Sequence, residues 1–197
     1  MTLLDYFPKK RPLKLLDIGC SDCTEGESLI RSGVILTGID QDEETIQAVR
    51  VRLPEGRFLA MNAADYQTEE RFDVILLRRP DLILGFRSWK KVFSRLSDWL
   101  AAGGLILVTT PGDSEAKIAL QLFSEVGTSG IELVSTEWED EQYLLRAEAP
   151  DSLASAVEIK RNPLVDELMW TDDQPAWVCD SKTGMCSLVS PAESVQP

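Results

Sequence analysis

The sequence predicts an α/β fold: a doubly wound, mostly parallel sheet. Two observations predict it. Short apolar runs alternate with helical stripes from about residue 12 to residue 126. That rhythm belongs to strands buried on both faces and joined by helical crossovers. After Gly127 come two apolar runs, Ile131–Thr136 and Gln142–Ala147, joined only by the acidic stretch Glu137–Glu141. So short a link cannot make a parallel crossover, so this pair is antiparallel or lies in different sheets.

Pro12–Gly19 reads as the first strand, an apolar run broken only by Lys14 and Asp17. The following helix is expected to open on a capping box made by Thr24 and Glu27. Gly33–Asp40 is the second strand. Asp42 then has the character of an N-cap, and Ile46, Val49 and Leu53 share one helical face before Pro54 stops the helix. Arg57–Asn62 and Phe72–Leu77 are the third and fourth strands. Trp89, Val92, Phe93, Leu96 and Leu100 recur at helical spacing, which predicts one long amphipathic helix ended by Gly103 and Gly104. Leu105–Thr110 is the fifth strand. Ala119, Leu122, Phe123 and Val126 form a last helical stripe, ended by Gly127.

From Pro150 the pattern weakens, with Asp151–Val157 expected as a short helical turn. Near the C-terminus, pairing Asp180 with Met185 would let Ser181–Gly184 turn the chain and set Cys179 opposite Cys186. The expected division is an α/β domain over 1–150 and a C-terminal extension over 151–197 that ends in this hairpin.

Composition narrows the function. The chain has 197 residues, 33 acidic against 20 basic, for a formal net charge of −13. Such a surface repels a phosphate backbone, and the basic clusters Lys9–Arg11, Arg78–Arg79 and Lys90–Lys91 are short and scattered. Nucleic acid is therefore not an expected partner. No apolar run approaches the ~20 residues of a membrane span, and Met1–Phe7 lacks the pattern of a secretory signal. The expected location is the cytoplasm, with reduced thiols. There is no histidine, which removes the commonest general base and the commonest metal ligand.

The stretch Leu15-Leu16-Asp17-Ile18-Gly19-Cys20-Ser21-Asp22-Cys23 resembles the first motif of the class I S-adenosylmethionine-dependent methyltransferases, hydrophobic-Asp-hydrophobic-Gly-x-Gly-x-Gly. The resemblance extends over roughly residues 12 to 150 and includes the order of elements. It implies the family's three-layer sandwich around a doubly wound, mostly parallel seven-stranded sheet with a C-terminal antiparallel strand, S-adenosylmethionine as cofactor, and methyl transfer to a small molecule or a protein side chain. It makes 1–150 the cofactor-binding domain. Gly19 lets the backbone turn sharply beside the ligand, with Cys20 and Ser21 following in the same loop. Asp17 matches the family's acidic residue near the methionine end. Asp40 matches the carboxylate that takes both ribose hydroxyls. Gln41 is expected beside the adenine. Asn62 and Ala63 match the family's Asp-Ala pair, the Asn offering both a donor and an acceptor. Leu77 and Arg78 end the fourth strand, where the family meets the sulfonium and the substrate.

Two positions depart from the motif. Ser21 and Cys23 stand where the family has its second and third glycines. A Cβ there costs ~1–3 kcal/mol of strain if φ must be positive. The alternative expectation is thus a non-catalytic, methyltransferase-like binding or interaction protein. A dinucleotide-binding domain fits less well, because its Gly-x-Gly-x-x-Gly fingerprint would fall on Gly19, Ser21 and Thr24.

Other candidates are weaker. Cys20 and Cys23 with Cys179 and Cys186 could form a four-thiolate zinc site, but the second pair is spaced too widely, and no metal is expected. Arg78 and Arg79 could hold a carboxylate of cofactor or substrate. Trp138, Trp170 and Trp177 are expected to pack rather than to recognise a ligand. A sulfonium carries its own activated leaving group, so the protein mainly aligns the reactants, and no catalytic residue is named. Only a short segment precedes the first strand. Cover for the pocket must come from Arg79–Ser88, from the extension, or from another subunit of a homo-oligomer.

Overall fold

The computed structural model describes residues 3–128, 130–138, 140–148, 176–179 and 186–189. They fall within two compact units, Met1–Lys160 and Arg161–Pro197. Each is described by itself.

In the first unit the strands are β1 (Leu13–Ile18), β2 (Val34–Asp40), β3 (Arg57–Ala60), β4 (Phe72–Arg78), β5 (Leu100–Thr110), β6 (Glu132–Trp138) and β7 (Glu141–Glu148). They form one seven-stranded sheet in the order β3-β2-β1-β4-β5-β7-β6. Neighbours from β3 to β5 pair in parallel, while β7 runs antiparallel to both β5 and β6. This is the expected mostly parallel sheet with an antiparallel strand. Leu13, Leu15, Leu16, Val74, Ile75, Leu77, Leu107 and Val108 are almost wholly inaccessible to solvent, so both faces of the central strands are covered. Each such side chain contributes about 1.5–3 kcal/mol of burial. Strand order reverses between β1 and β4, and the crevice of such a sheet opens at the carboxyl ends of the strands flanking that point.

The helices are α1 (Gly26–Arg31), α2 (Glu43–Arg52), α3 (Phe86–Phe93), α4 (Leu96–Trp99) and α5 (Asp113–Glu125). α2 follows the expected pattern. Asp42 caps it, one carboxylate oxygen accepting from the Thr45 N–H at 3.0 Å, and Ile46, Val49 and Leu53 are buried. α5 buries Ala119, Leu122 and Phe123, and Gly127 takes φ +73° just beyond it.

Three local expectations are corrected. The capping box does not form. Successive turns (Cys23 N–H to the Cys20 carbonyl, 2.8 Å, and Gly26 N–H to the Cys23 carbonyl, 2.9 Å) delay the helix to Gly26. Thr24 instead donates its hydroxyl to Asp22, and Glu27 pairs with Arg31. The long amphipathic helix is broken. The Arg95 N–H turns back to the Val92 carbonyl at 3.0 Å, α4 is one short turn, and Leu100 already belongs to β5. Val92, Phe93, Leu96 and Leu100 of its apolar stripe are nonetheless buried, and Trp89 is half-buried. Gly103 and Gly104 lie inside β5, where register moves from Phe72 opposite Leu100 to Val74 opposite Leu105 and residues 101–104 bulge out. The third strand ends at Ala60, and Asn62 caps a short 3-10 turn, Ala63–Asp65.

Trp138, expected in a link, closes β6 and packs edge-on against Tyr6, with ring centroids 6.1 Å apart. Among the described residues, no helix is long and apolar enough to cross a membrane. In the second unit, β8 (Ala176–Cys179) pairs antiparallel with β9 (Cys186–Val189), and Cys179 stands opposite Cys186 as the spacing predicts. The Asp180–Met185 turn, Asp151–Val157, Trp170 and the Trp177 side chain lie outside the described residues.

Candidate functional site

The crevice is built on the turn after β1. Gly19 takes φ +75°, and its N–H donates to the Ile39 carbonyl at 2.7 Å, tying the turn to β2. The Cys20 N–H shares that acceptor at 3.1 Å. Ser21 and Cys23 take φ +47° and +48°. Both therefore adopt the left-handed backbone that a glycine would occupy freely, at about 1–2 kcal/mol each.

Two side chains brace this strained loop. One carboxylate oxygen of Asp40 accepts the Ser21 N–H at 2.9 Å. The Arg52 guanidinium, at the end of α2, donates to the carbonyls of Asp22 and Cys23. The Ser21 side chain is exposed, so strain is its main contribution. Ser21→Gly is expected to stabilise the protein by about 0.5–1 kcal/mol, read as a higher urea midpoint at unchanged slope.

The thiols of Cys20 and Cys23 turn into the core, each residue 6% exposed. A Cβ on Gly38 would come within 2.8 Å of the Cys20 sulfur, and one on Gly26 within 2.8 Å of the Cys23 sulfur. The glycines make room for the thiols. Burial, with Asp17 nearby, pushes the Cys20 thiol above its ordinary range and lifts Cys23 to about 12. Both stay protonated, a poor state for binding metal. Among the described residues no three His, Cys, Asp or Glu side chains gather as a metal site.

Two cavities meet at Gly19, Arg78 and Arg79. The first, about 340 Å³, is lined by Asp40, Gln41, Met61, Asn62 and Ala63 on one side and by Asp81, Ser88 and Trp89 on the other. Asp40 closes β2, and its second carboxylate oxygen accepts the Asp42 N–H at 3.0 Å. Asn62 uses its side-chain carbonyl locally, accepting the Ala64 N–H at 2.9 Å. Trp89 was legible only as one residue of an apolar helical stripe. Its contribution to this wall depends on where α3 docks.

The second cavity, about 820 Å³, runs along the Gly19–Gly26 loop and is bounded by Asp17, Leu76, Arg78, Pro111 and Asp140. Asp17 is buried, and its Oδ1 has no hydrogen-bond partner among the described residues. Burial lifts its carboxyl to about 7, Arg78 opposing and the charges of Glu25 and Asp40 adding.

Arg78 stands between the two cavities. Its Nε and Nη2 donate to one oxygen of Glu141 at 2.9 and 2.6 Å, and its Nη1 donates to Glu25 at 2.7 Å. The Glu141 side chain is 4% exposed and that of Glu25 47%. Arg79 takes φ +46°, with its N–H held by the Thr109 carbonyl and hydroxyl at 3.1 and 3.2 Å. Its guanidinium lies 3.7 Å from Asp140, and both side chains are exposed. The structure thus brings Asp17, Gly19, Cys20, Ser21, Asp40, Gln41, Asn62, Ala63 and Arg78 to one crevice. Sequence reasoning missed Glu25 and Glu141. Neither belongs to a motif, and Glu141 reaches Arg78 only through the strand order β4-β5-β7.

Residues 15–104 match a family model described as a methyltransferase domain. A trans-aconitate 2-methyltransferase of Rhizobium rhizogenes is 27% identical over 111 residues, and that of Agrobacterium fabrum 30% identical over 116. Each match covers 55% of this chain and 43% of the relative, so the chain spans less than half the length of these curated relatives. Among solved structures, the N-methyltransferase NodS of Bradyrhizobium japonicum shares the fold with a TM-score of 0.61 at 19% identity, over 71% of this chain and 87% of NodS. A TehB-like methyltransferase of Corynebacterium glutamicum does so with a TM-score of 0.58 at 20% identity, over 71% and 80%.

Proposed function

We propose, from its membership of the class I S-adenosylmethionine-dependent methyltransferase family, that this chain binds S-adenosylmethionine along the β1 turn and transfers the methyl group. The carrying observation is the pair of acids around Gly19. Asp40 presents a carboxylate at the end of β2, and Asp17 has a buried oxygen without a partner, facing the second cavity. Such an oxygen fits the ammonium of the cofactor's methionine arm, which would supply the missing donor. Asp40 retains lone pairs for the ribose hydroxyls. Gln41, Asn62 and Ala63 flank the adenine, while the backbone of Gly19, Cys20 and Ser21 follows the methionine arm. Arg78 lines both cavities, beside the path of that arm. When bound, the cofactor supplies a methyl group already activated on sulfur. The chain's own residues orient it and keep water out.

The acceptor is a small molecule or a protein side chain. A small carboxylic acid has the best support: the curated relatives are named for trans-aconitate, and Arg79 offers a mostly exposed guanidinium at the cavity wall. The proposal takes 1–150 as the cofactor-binding domain and 151–197 as an extension, in a cytoplasmic protein that does not bind nucleic acid and forms a homo-oligomer.

Calorimetric titration with S-adenosylmethionine and its demethylated product should show saturable binding of both. No heat at millimolar ligand would sink the reading. It would then favour the second one, a binding or interaction protein that keeps the fold, to which the non-glycine residues at 21 and 23 already point. A thermal shift with nicotinamide dinucleotides and none with the methyl donor would instead indicate a dinucleotide site.

A further inference from the structure

Arg78 carries more carboxylates than one guanidinium needs. Glu141 is buried and takes two of its donors through one oxygen, and Glu25 takes a third. The two acids are not equivalent. Glu141 opens β7, is fixed by the sheet, and could not be left unpaired without a large penalty. Glu25 lies half exposed just before the short helix α1, and its side chain caps nothing there. An exposed ion pair of that kind is weak and readily exchanged for water or another anion. Both Glu25 and Arg78 line the second cavity, together with Asp17 and its unpartnered oxygen. An amino-acid zwitterion needs such a pairing: a carboxylate for its ammonium and a guanidinium for its carboxylate.

We propose that Arg78 anchors the α-carboxylate of the cofactor's methionine arm and that Glu25 is a stand-in carboxylate, displaced when the cofactor enters. Glu141 keeps the guanidinium in place throughout. Arg78 is thereby a specificity-determining residue for the amino-acid end of the ligand, and Glu25 sets how readily that end is admitted. This deepens the cofactor reading above and depends on it.

Three probes separate the parts. S-adenosylmethionine has the full arm, decarboxylated S-adenosylmethionine keeps the ammonium only, and methylthioadenosine has neither group. The wild type should prefer S-adenosylmethionine to its decarboxylated form by at least about tenfold, the loss of a charge-assisted contact. Glu25→Gln should tighten S-adenosylmethionine about three- to fivefold and leave the other two probes unchanged. The double variant Arg78→Gln, Glu141→Gln, which removes the guanidinium together with its buried partner carboxylate, should lose the preference. An absent preference in the wild type, or a Glu25→Gln variant that binds S-adenosylmethionine no more tightly, would overturn the inference. If methylthioadenosine binds in either case, the adenosine site stands and only the Arg78 assignment falls. If no probe binds the wild type, the cofactor reading falls with it.

Discussion

Asp17→Asn should be more stable than the wild type at pH 8 and nearly equal to it below about pH 4. The Asp17 carboxyl is buried in the crevice, and its pKa is raised from 3.8 to about 7. The folded protein therefore holds this proton up to about pH 7, whereas the unfolded chain releases it near pH 4. Between those values the unfolded chain binds fewer protons, so stability falls as pH rises and levels off above the folded pKa. Each pKa unit is worth about 1.4 kcal/mol, so roughly 4 kcal/mol is lost between pH 4 and pH 8. Asn cannot ionise and escapes this loss. A unit of this size should gain about 8–16 °C in melting temperature at pH 8. Melting curves of both proteins across this range check it. Parallel dependence on pH would mean that Asp17 is ionised in the fold at all these values. The same variant should bind the cofactor less tightly, because a neutral amide attracts an ammonium less than a carboxylate does.

Asp40→Ala should abolish useful cofactor binding while leaving the fold intact. The carboxylate has two tasks. It holds the N–H groups of Ser21 and Asp42, and it lines the first cavity where the ribose would lie. The freed N–H groups are near solvent and can turn to water, so the structural cost is about 1 kcal/mol. The binding cost is larger. Two hydrogen bonds to a charged acceptor are worth about 1.5–3 kcal/mol each, which predicts a loss of at least about a hundredfold in affinity. Calorimetry reads it directly. An unchanged dissociation constant would remove Asp40 from the site, whatever becomes of the rest of the cofactor reading.

The residues that could be read from sequence are those whose signal is local. Asp17, Gly19 and Asp40 sit at strand ends that announce themselves by hydrophobic runs, and Asp42 precedes a clean helical stripe. The helix after Gly19 was mislocated because Thr24 and Glu27 have capping spacing, yet the chain spends those residues on turns that end at Gly26. The stripe from Trp89 to Leu100 misled in a different way. Spacing fixes which residues face the core, and from Val92 to Leu100 they are buried, but a break of one turn at Arg95 leaves that face apolar and is itself invisible to periodicity. Glu25 and Glu141 were out of reach altogether. Their partner lies 53 and 63 positions away in the chain, and only the sheet order brings them together.

The bulge at residues 101–104 has a practical side. It lies at the entry end of β5, and the crevice lies at the exit ends of the parallel strands. Ala102 and Gly103 are exposed there, and four residues already stand outside the ladder between Leu100 and Leu105. Chain added at this point would lengthen an existing excursion instead of breaking a pairing. It is a natural place to graft a peptide tag or a fluorophore whose signal reports on the protein without touching the crevice.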